Sequence, residues 1–149
     1  MSIIQQIEND FNQAFKEKNE LAVLTLRQLK AALTNLEISK NREPLTEGDV
    51  IKLLRTEVKR RKEASELYRQ GGRPELADKE IKEIGLIAKY LPPEIGSDGI
   101  RTIIAAVIAK VGANGLQDSG KVMGLVMKEL GGAADGNVVS QLVKEELSR

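Results

Sequence analysis

The amino-acid sequence predicts an all-α protein: an N-terminal helical lobe of about four helices followed by a small C-terminal domain of three. Three observations lead there. Apolar residues recur at three- and four-residue steps along most of the 149-residue chain, the period of a helix with one buried face. Proline, glycine and capping residues fall between these periodic segments rather than inside them. No segment combines sustained two-residue alternation with turn dipeptides, so no strand is predicted. A chain with 41% hydrophobic and 30% charged residues has the apolar side chains for a core and the charge for a solvated surface, which argues against disorder.

The elements follow in order. Ile3, Ile7, Phe11, Ala14 and Phe15 mark a first amphipathic helix over 3–17. Leu21, Leu24, Leu29, Leu33 and Leu36 mark a second from Glu20 to about Lys40, which Asn41 to Leu45, with Pro44 inside, interrupts. Thr46 with Asp49 three residues on resembles a capping box, so a third helix begins there and runs to about Gln70, where Gly71-Gly72 stops it. Pro74 fits the first turn of a fourth helix carrying Leu76, Ile81, Ile84, Ile87, Ala88 and Leu91. Leu91-Pro92-Pro93 restricts the backbone on both sides, so the division between lobes is placed here, as 1–91 and 92–149. Three shorter helices are predicted at about 98–111, 118–130 and 136–148. Ser97 or Asp98, Asp118 and Asp135 are their expected caps; Gly112 and Gly131-Gly132 are the expected stops.

Composition removes several kinds of chemistry. With neither Cys nor His there are no disulfides, thiolate nucleophiles, zinc-finger ligand sets or Ser-His-Asp triads. The net charge of +1, from 23 Lys and Arg against 22 Asp and Glu, gives no global attraction for polyanions, so any nucleic-acid contact must be local. Aromatics are 3% of the chain, too few for a stacking platform. The opening MSIIQQIENDF lacks a basic segment followed by an apolar run. The longest apolar stretch, Ile103 to Ala109, falls far short of the roughly 20 residues a spanning helix needs. A cytoplasmic protein with no membrane partner, no metal and no cofactor is the expectation.

Basic residues gather on the third helix: Lys52, Arg55, Lys59, Arg60, Arg61 and Lys62, with Glu57 the sole acid among them. At 100° per residue, Lys52, Arg55, Lys59, Lys62 and Arg69 occupy an arc of about 100°, beside an apolar stripe of Val50, Ile51, Leu54, Val58 and Tyr68. Such a row suits phosphate contacts; it also suits a solvated face whose long stems cover the edge of a core. Gly115 to Lys121 matches the first seven positions of a phosphate loop. The eighth is Val122, which cannot hold magnesium, and no strand precedes it, so a helix start with Asp118 as cap and Gly120 and Gly124 at a close helix approach is the plainer reading. Ser140 with Lys144 lacks any sign of an oxyanion hole. Glu63/Glu66 and Glu80/Glu83 alternate with cations in the manner of solvent-facing helices, which speaks against a metal. The stretch from Gly131 to Lys144 reads as a helix hairpin whose glycines, Gly136 among them, permit a tight turn; the exposed amides at the start of its last helix would also suit an anion.

Together these residues resemble the YqeY family along essentially the whole chain. LRQLKAALTNLEI at 26–38, EVKRRKEASELYRQGGRPEL at 57–76, KYLPPEI at 89–95, GKVMGLVM at 120–127, and ADG with SQLVKEEL within 134–147 carry the resemblance. The family is similar in its last part to the tail domain of the B subunit of the glutamine-dependent aminoacyl-tRNA amidotransferase, whose tail is held to contact the outer corner of tRNA. The resemblance implies an all-α fold and a tRNA-binding or aminoacyl-tRNA-associated accessory role. Gly120, Lys121 and Gly124 look like the tail's G-K-x-x-G turn and helix, and Lys128, Gln141 and Lys144 lie on the helices that follow. A helical adaptor for a protein partner, and a part of a carbon–nitrogen ligase with glutamine as amido donor, are the two other expectations. No catalytic residue is assigned, because no acyl-activating cradle or ammonia-releasing module fits in the chain.

Overall fold

The computed structural model describes residues 1–131 and 133–149. They form seven α-helices and one 3-10 turn, with no strand among the described residues. The chain packs as two compact units, Met1–Leu91 and Pro92–Arg149.

The first unit contains α1 (Ile3–Lys16), α2 (Glu20–Ser39), α3 (Glu47–Gln70) and α4 (Pro74–Ala88). Each start has a local cause. Ser2 and Gln5 exchange hydrogen bonds in a capping box at α1, and Asn19 accepts from the Ala22 N–H at α2. Thr46 and Asp49 form the predicted box at α3, and Pro74 opens α4. Gly72, at φ 74°, makes the left-handed turn from α3 into α4, which a side-chain-bearing residue would resist. The core joins Ile3 and Ile7 of α1, Leu26, Leu29 and Leu33 of α2, Val50 and Leu54 of α3, and Ile87 with Tyr90. Tyr90 donates its hydroxyl to Asp10 and so ties the end of α4 to α1.

Four apolar positions depart from the predicted stripes: Phe15, Leu24, Ile81 and Ala88 are exposed, while Thr25 and Glu83 are buried. On α4 the apolar stripe overlaps the inner face only in part, because the charged Glu83 is buried there with Ala77 and Ile87.

The second unit holds α5 (Ser97–Val111), a 3-10 turn at Leu116–Asp118, α6 (Ser119–Leu130) and α7 (Gly136–Leu147). Ile100, Ile104 and Val107 meet Val122, Val126 and Leu130 and, from α7, Val139, Leu142 and Val143. Gly112 and Gly131, both with positive φ, end α5 and α6 as expected; Gly132, the other half of the predicted stop, lies outside the described residues. Asp135 caps α7 through the Asn137 N–H. The other two predicted caps are corrected. Gly96 rather than Ser97 or Asp98 holds the cap position of α5, because Ser97 is already helical. Asp118 turns its carboxylate back to the Asn114 N–H and closes the preceding loop instead of capping α6. Among the described residues no single helix is long and apolar enough to cross a membrane.

Candidate nucleic-acid interface

Helix α3 separates its basic residues into two populations that the sequence lists together. Arg61 is buried at 8% exposure and points into the unit. Its guanidinium donates to the Glu57 carboxylate at 2.7 Å, to Gln28 Oε1 of α2 at 2.7 Å and to the Glu83 carboxylate of α4 at 3.3 Å. Glu83 is itself only 4% exposed, so the reading of Glu80/Glu83 as a solvent-facing pair is corrected. A buried carboxylate needs a countercharge, and Arg61 supplies it with the planar fork that suits several acceptors at once. Burial, together with the negative charge and hydrogen bonding of Glu83, raises the neighbouring Glu80 carboxyl above its ordinary range.

The other population faces solvent. Lys52, Lys59 and Lys62 are exposed, and none has a carboxylate partner among the described residues. Arg69 is exposed and reaches Glu66 at 3.9 Å, a loose contact. Arg55 falls in the same arc and is half-buried. The row therefore consists of three unengaged ammonium groups along one flank, extended by two guanidinium groups. Lys59 and Lys62 are neighbours at an i, i+3 spacing, and Glu63 and Glu66 stand one turn beyond them, yet neither glutamate pairs with its lysine.

The other flank of α3 borders α2. There a cleft of about 550 Å³ is lined by the apolar Ala32, Leu36 and Leu53 and by the polar Asn35, Lys52, Glu57 and Arg60. Lys52 thus belongs to the lysine row and to the cleft. Lys40 and Asp49 close one end through a 2.8 Å ion pair. Asp49 is held down at a pKa of about 2, first by its hydrogen bond from Lys40 and then by the Thr46 N–H.

In the second unit, Lys121 and Lys128 stand on the exposed side of α6 with Gly120 and Gly124, within an arc of about 100°. Lys144 is exposed on α7. None of these lysines has a carboxylate partner among the described residues. Gly120 and Gly124 are not at a turn and do not seat a neighbouring helix: both lie inside α6, and a Cβ added at either would meet nothing within 4 Å. Gly136, expected at a turn, is the first residue of α7; its Cβ would make only ordinary contact, 4.0 Å from Met127 Cε. Among the described residues of this unit, the left-handed turns belong to Gly112 and Gly131. The partial phosphate-loop match at Gly115–Lys121 folds as a 3-10 turn into a helix, with the Asp118 carboxylate occupying the loop amide of Asn114.

The Arg61 network escaped the sequence reading, since nothing in a run of Lys and Arg says which one turns inward. The signal available was Glu83 on α4, at a position where the helical period calls for an apolar residue.

Comparison with known proteins agrees with these features in extent. The family described as Yqey-like protein matches residues 4–147. Among curated relatives, "Altered inheritance of mitochondria protein 41, mitochondrial" of Pyrenophora tritici-repentis is 26% identical over 96% of this chain and 80% of its own. The protein of the same name from Clavispora lusitaniae is 25% identical over 87% of this chain and 74% of its own. An uncharacterized Schizosaccharomyces pombe protein is 36% identical over 43% of this chain and 54% of its own. Because the match runs through both units, from α1 to the end of α7, the chain belongs to the YqeY family.

Proposed function

We propose that this protein is a tRNA-binding or aminoacyl-tRNA-associated accessory module with no bond-making chemistry of its own. The observation that carries the reading is the row Lys52, Lys59 and Lys62, exposed and without carboxylate partners in a chain whose overall charge is only +1. Cations left unmatched on one flank, while Arg61 on the same helix is fully engaged, are suited to a phosphate backbone. The exposed lysines of α6 and α7 supply further contacts of the same kind. A protein with two tyrosines and two phenylalanines has few stacking surfaces, so folded RNA read by shape fits better than an extended single strand.

The experiment is a salt titration of affinity for purified tRNA. Three to five phosphate contacts give a log–log slope of about −2 to −4, and K59E/K62E makes that slope shallower by about 2. A slope near zero for the parent protein, or K59E/K62E binding like the parent, rejects the reading. Recovery of a protein partner that survives RNase treatment would favour the adaptor instead.

A further inference from the structure

We propose that the α2–α3 cleft seats one unstacked nucleotide of the RNA held by the lysine row. This rests on the RNA-binding reading and adds to it a place where a base is received. The cleft lining has two kinds of chemistry: the aliphatic side chains of Ala32, Leu36 and Leu53, and the cations Lys52 and Arg60. Arg60 reaches Glu57 only at 3.8 Å with its side chain 72% exposed, and Glu57 is already engaged by Arg61 at 2.7 Å, so the Arg60 guanidinium is free to turn toward a ligand. Lys52 has no carboxylate partner among the described residues. Two carboxylates line the cleft and would oppose an anion: the Lys40 ammonium covers Asp49 at 2.8 Å, and Arg61 engages Glu57 at 2.7 Å.

A flat apolar body beside a compact anion is the composition of a nucleotide. The Asn35 side chain, a donor and an acceptor in one group, can meet a base edge from the cleft wall. At about 550 Å³ the space falls within the range of small-ligand sites, roughly 300–1,000 Å³, which leaves room for a base and its phosphate. Continuity supports the same occupant. Because Lys52 belongs to the row and to the cleft lining, a backbone tracked along α3 arrives at the opening without leaving the helix.

The test uses the full chain and two probes. Adenosine 5′-monophosphate is titrated to millimolar concentration while backbone amides are followed by NMR, and tRNA affinity is measured separately. N35W and T56W fill the cleft from positions that are exposed in the fold, and circular dichroism confirms that each remains helical. Expected are amide shifts within 32–40 and 49–60 on adding the mononucleotide, their loss in N35W and T56W, and tRNA binding weakened about tenfold, the scale of one base's contacts, at an unchanged salt slope. Absence of amide shifts in the parent overturns the seat whatever the tRNA result. Shifts that persist in both variants, or unaltered tRNA affinity in both, also overturn it. Failure of the RNA reading is separately visible, as a flat salt slope in the parent.

Discussion

Replacing Arg61 with methionine is expected to destabilise the N-terminal unit by about 3–5 kcal/mol, the range for removing one partner of a buried ion pair. The geometry accounts for the size. Glu57, at 14% side-chain exposure, still has Arg60 at 3.8 Å and adjoining water. Glu83, at 5%, has no other cation in reach among the described residues, and its negative charge would remain in the core beside Glu80. A loss of this size takes a large share of the roughly 5–14 kcal/mol expected for a unit of this length, and lowers its midpoint by on the order of 20 °C. The chain has no Trp, and both of its tyrosines, Tyr68 and Tyr90, lie in this unit, so tyrosine emission during urea unfolding follows it alone. The double variant R61M/E83L removes both charges and should return to within about 1 kcal/mol of the parent, since an apolar pair of similar volume is often neutral. A cost for R61M below about 1 kcal/mol, typical of exposed pairs, would refute the buried network.

Three further outcomes follow from the structure. Gly124→Ala should stabilise the C-terminal unit by about 1 kcal/mol, because the glycine sits in a helix with open space where a Cβ would go; a thermal melt reporting destabilisation would show hidden crowding. Asp49→Asn and Glu80→Gln should have opposite pH signatures. The depressed Asp49 pKa adds stability above the unfolded value, and this is lost as pH falls from about 4 toward 2, so the D49N deficit present at pH 7 should vanish in acid. The raised Glu80 pKa works the other way. The folded state disfavours its charged form, so E80Q should gain midpoint temperature over the parent at neutral pH and lose that advantage in acid. Burial and the Asp10 carboxylate push the Tyr90 hydroxyl well above the ordinary tyrosine range; Tyr90→Phe should therefore leave the alkaline absorbance titration unchanged within that range and remove only the ionisation beyond it, and lost amplitude within the range would refute the buried hydroxyl.

Much of the fold was legible because its punctuation is local. Thr46 with Asp49, Pro74, Gly112, Gly131 and Asp135 each act within one helical turn, and the structure uses every one of them as anticipated. The Ser2–Gln5 box was equally present in the sequence and passed unread. Misjudged features depend on distant partners. Asp118 satisfies a loop amide rather than the helix it precedes, and Arg61 turns inward because Glu83, 22 residues away, waits for it. For the site, helical periodicity placed Lys52, Lys59 and Lys62 on one flank, but the distinction between engaged and unengaged cations required coordinates. The α2–α3 cleft had no sequence signature, since it arises from the space between helices that a loop of seven residues joins.

The pairing of Arg61 with Glu83 and of Ser65 with the Ala77 carbonyl shows α3 and α4 running antiparallel. Aliphatic faces alone leave such a hairpin several nearly equivalent alignments. Sliding α4 by one turn in one direction would set Glu83 opposite Glu57, two carboxylates with no cation between them; sliding it the other way would set the Arg61 guanidinium against Ile87. A single ionic clasp thus fixes the longitudinal alignment of the two helices, and with it where α4 leads into Tyr90 and Leu91 at the end of the first unit.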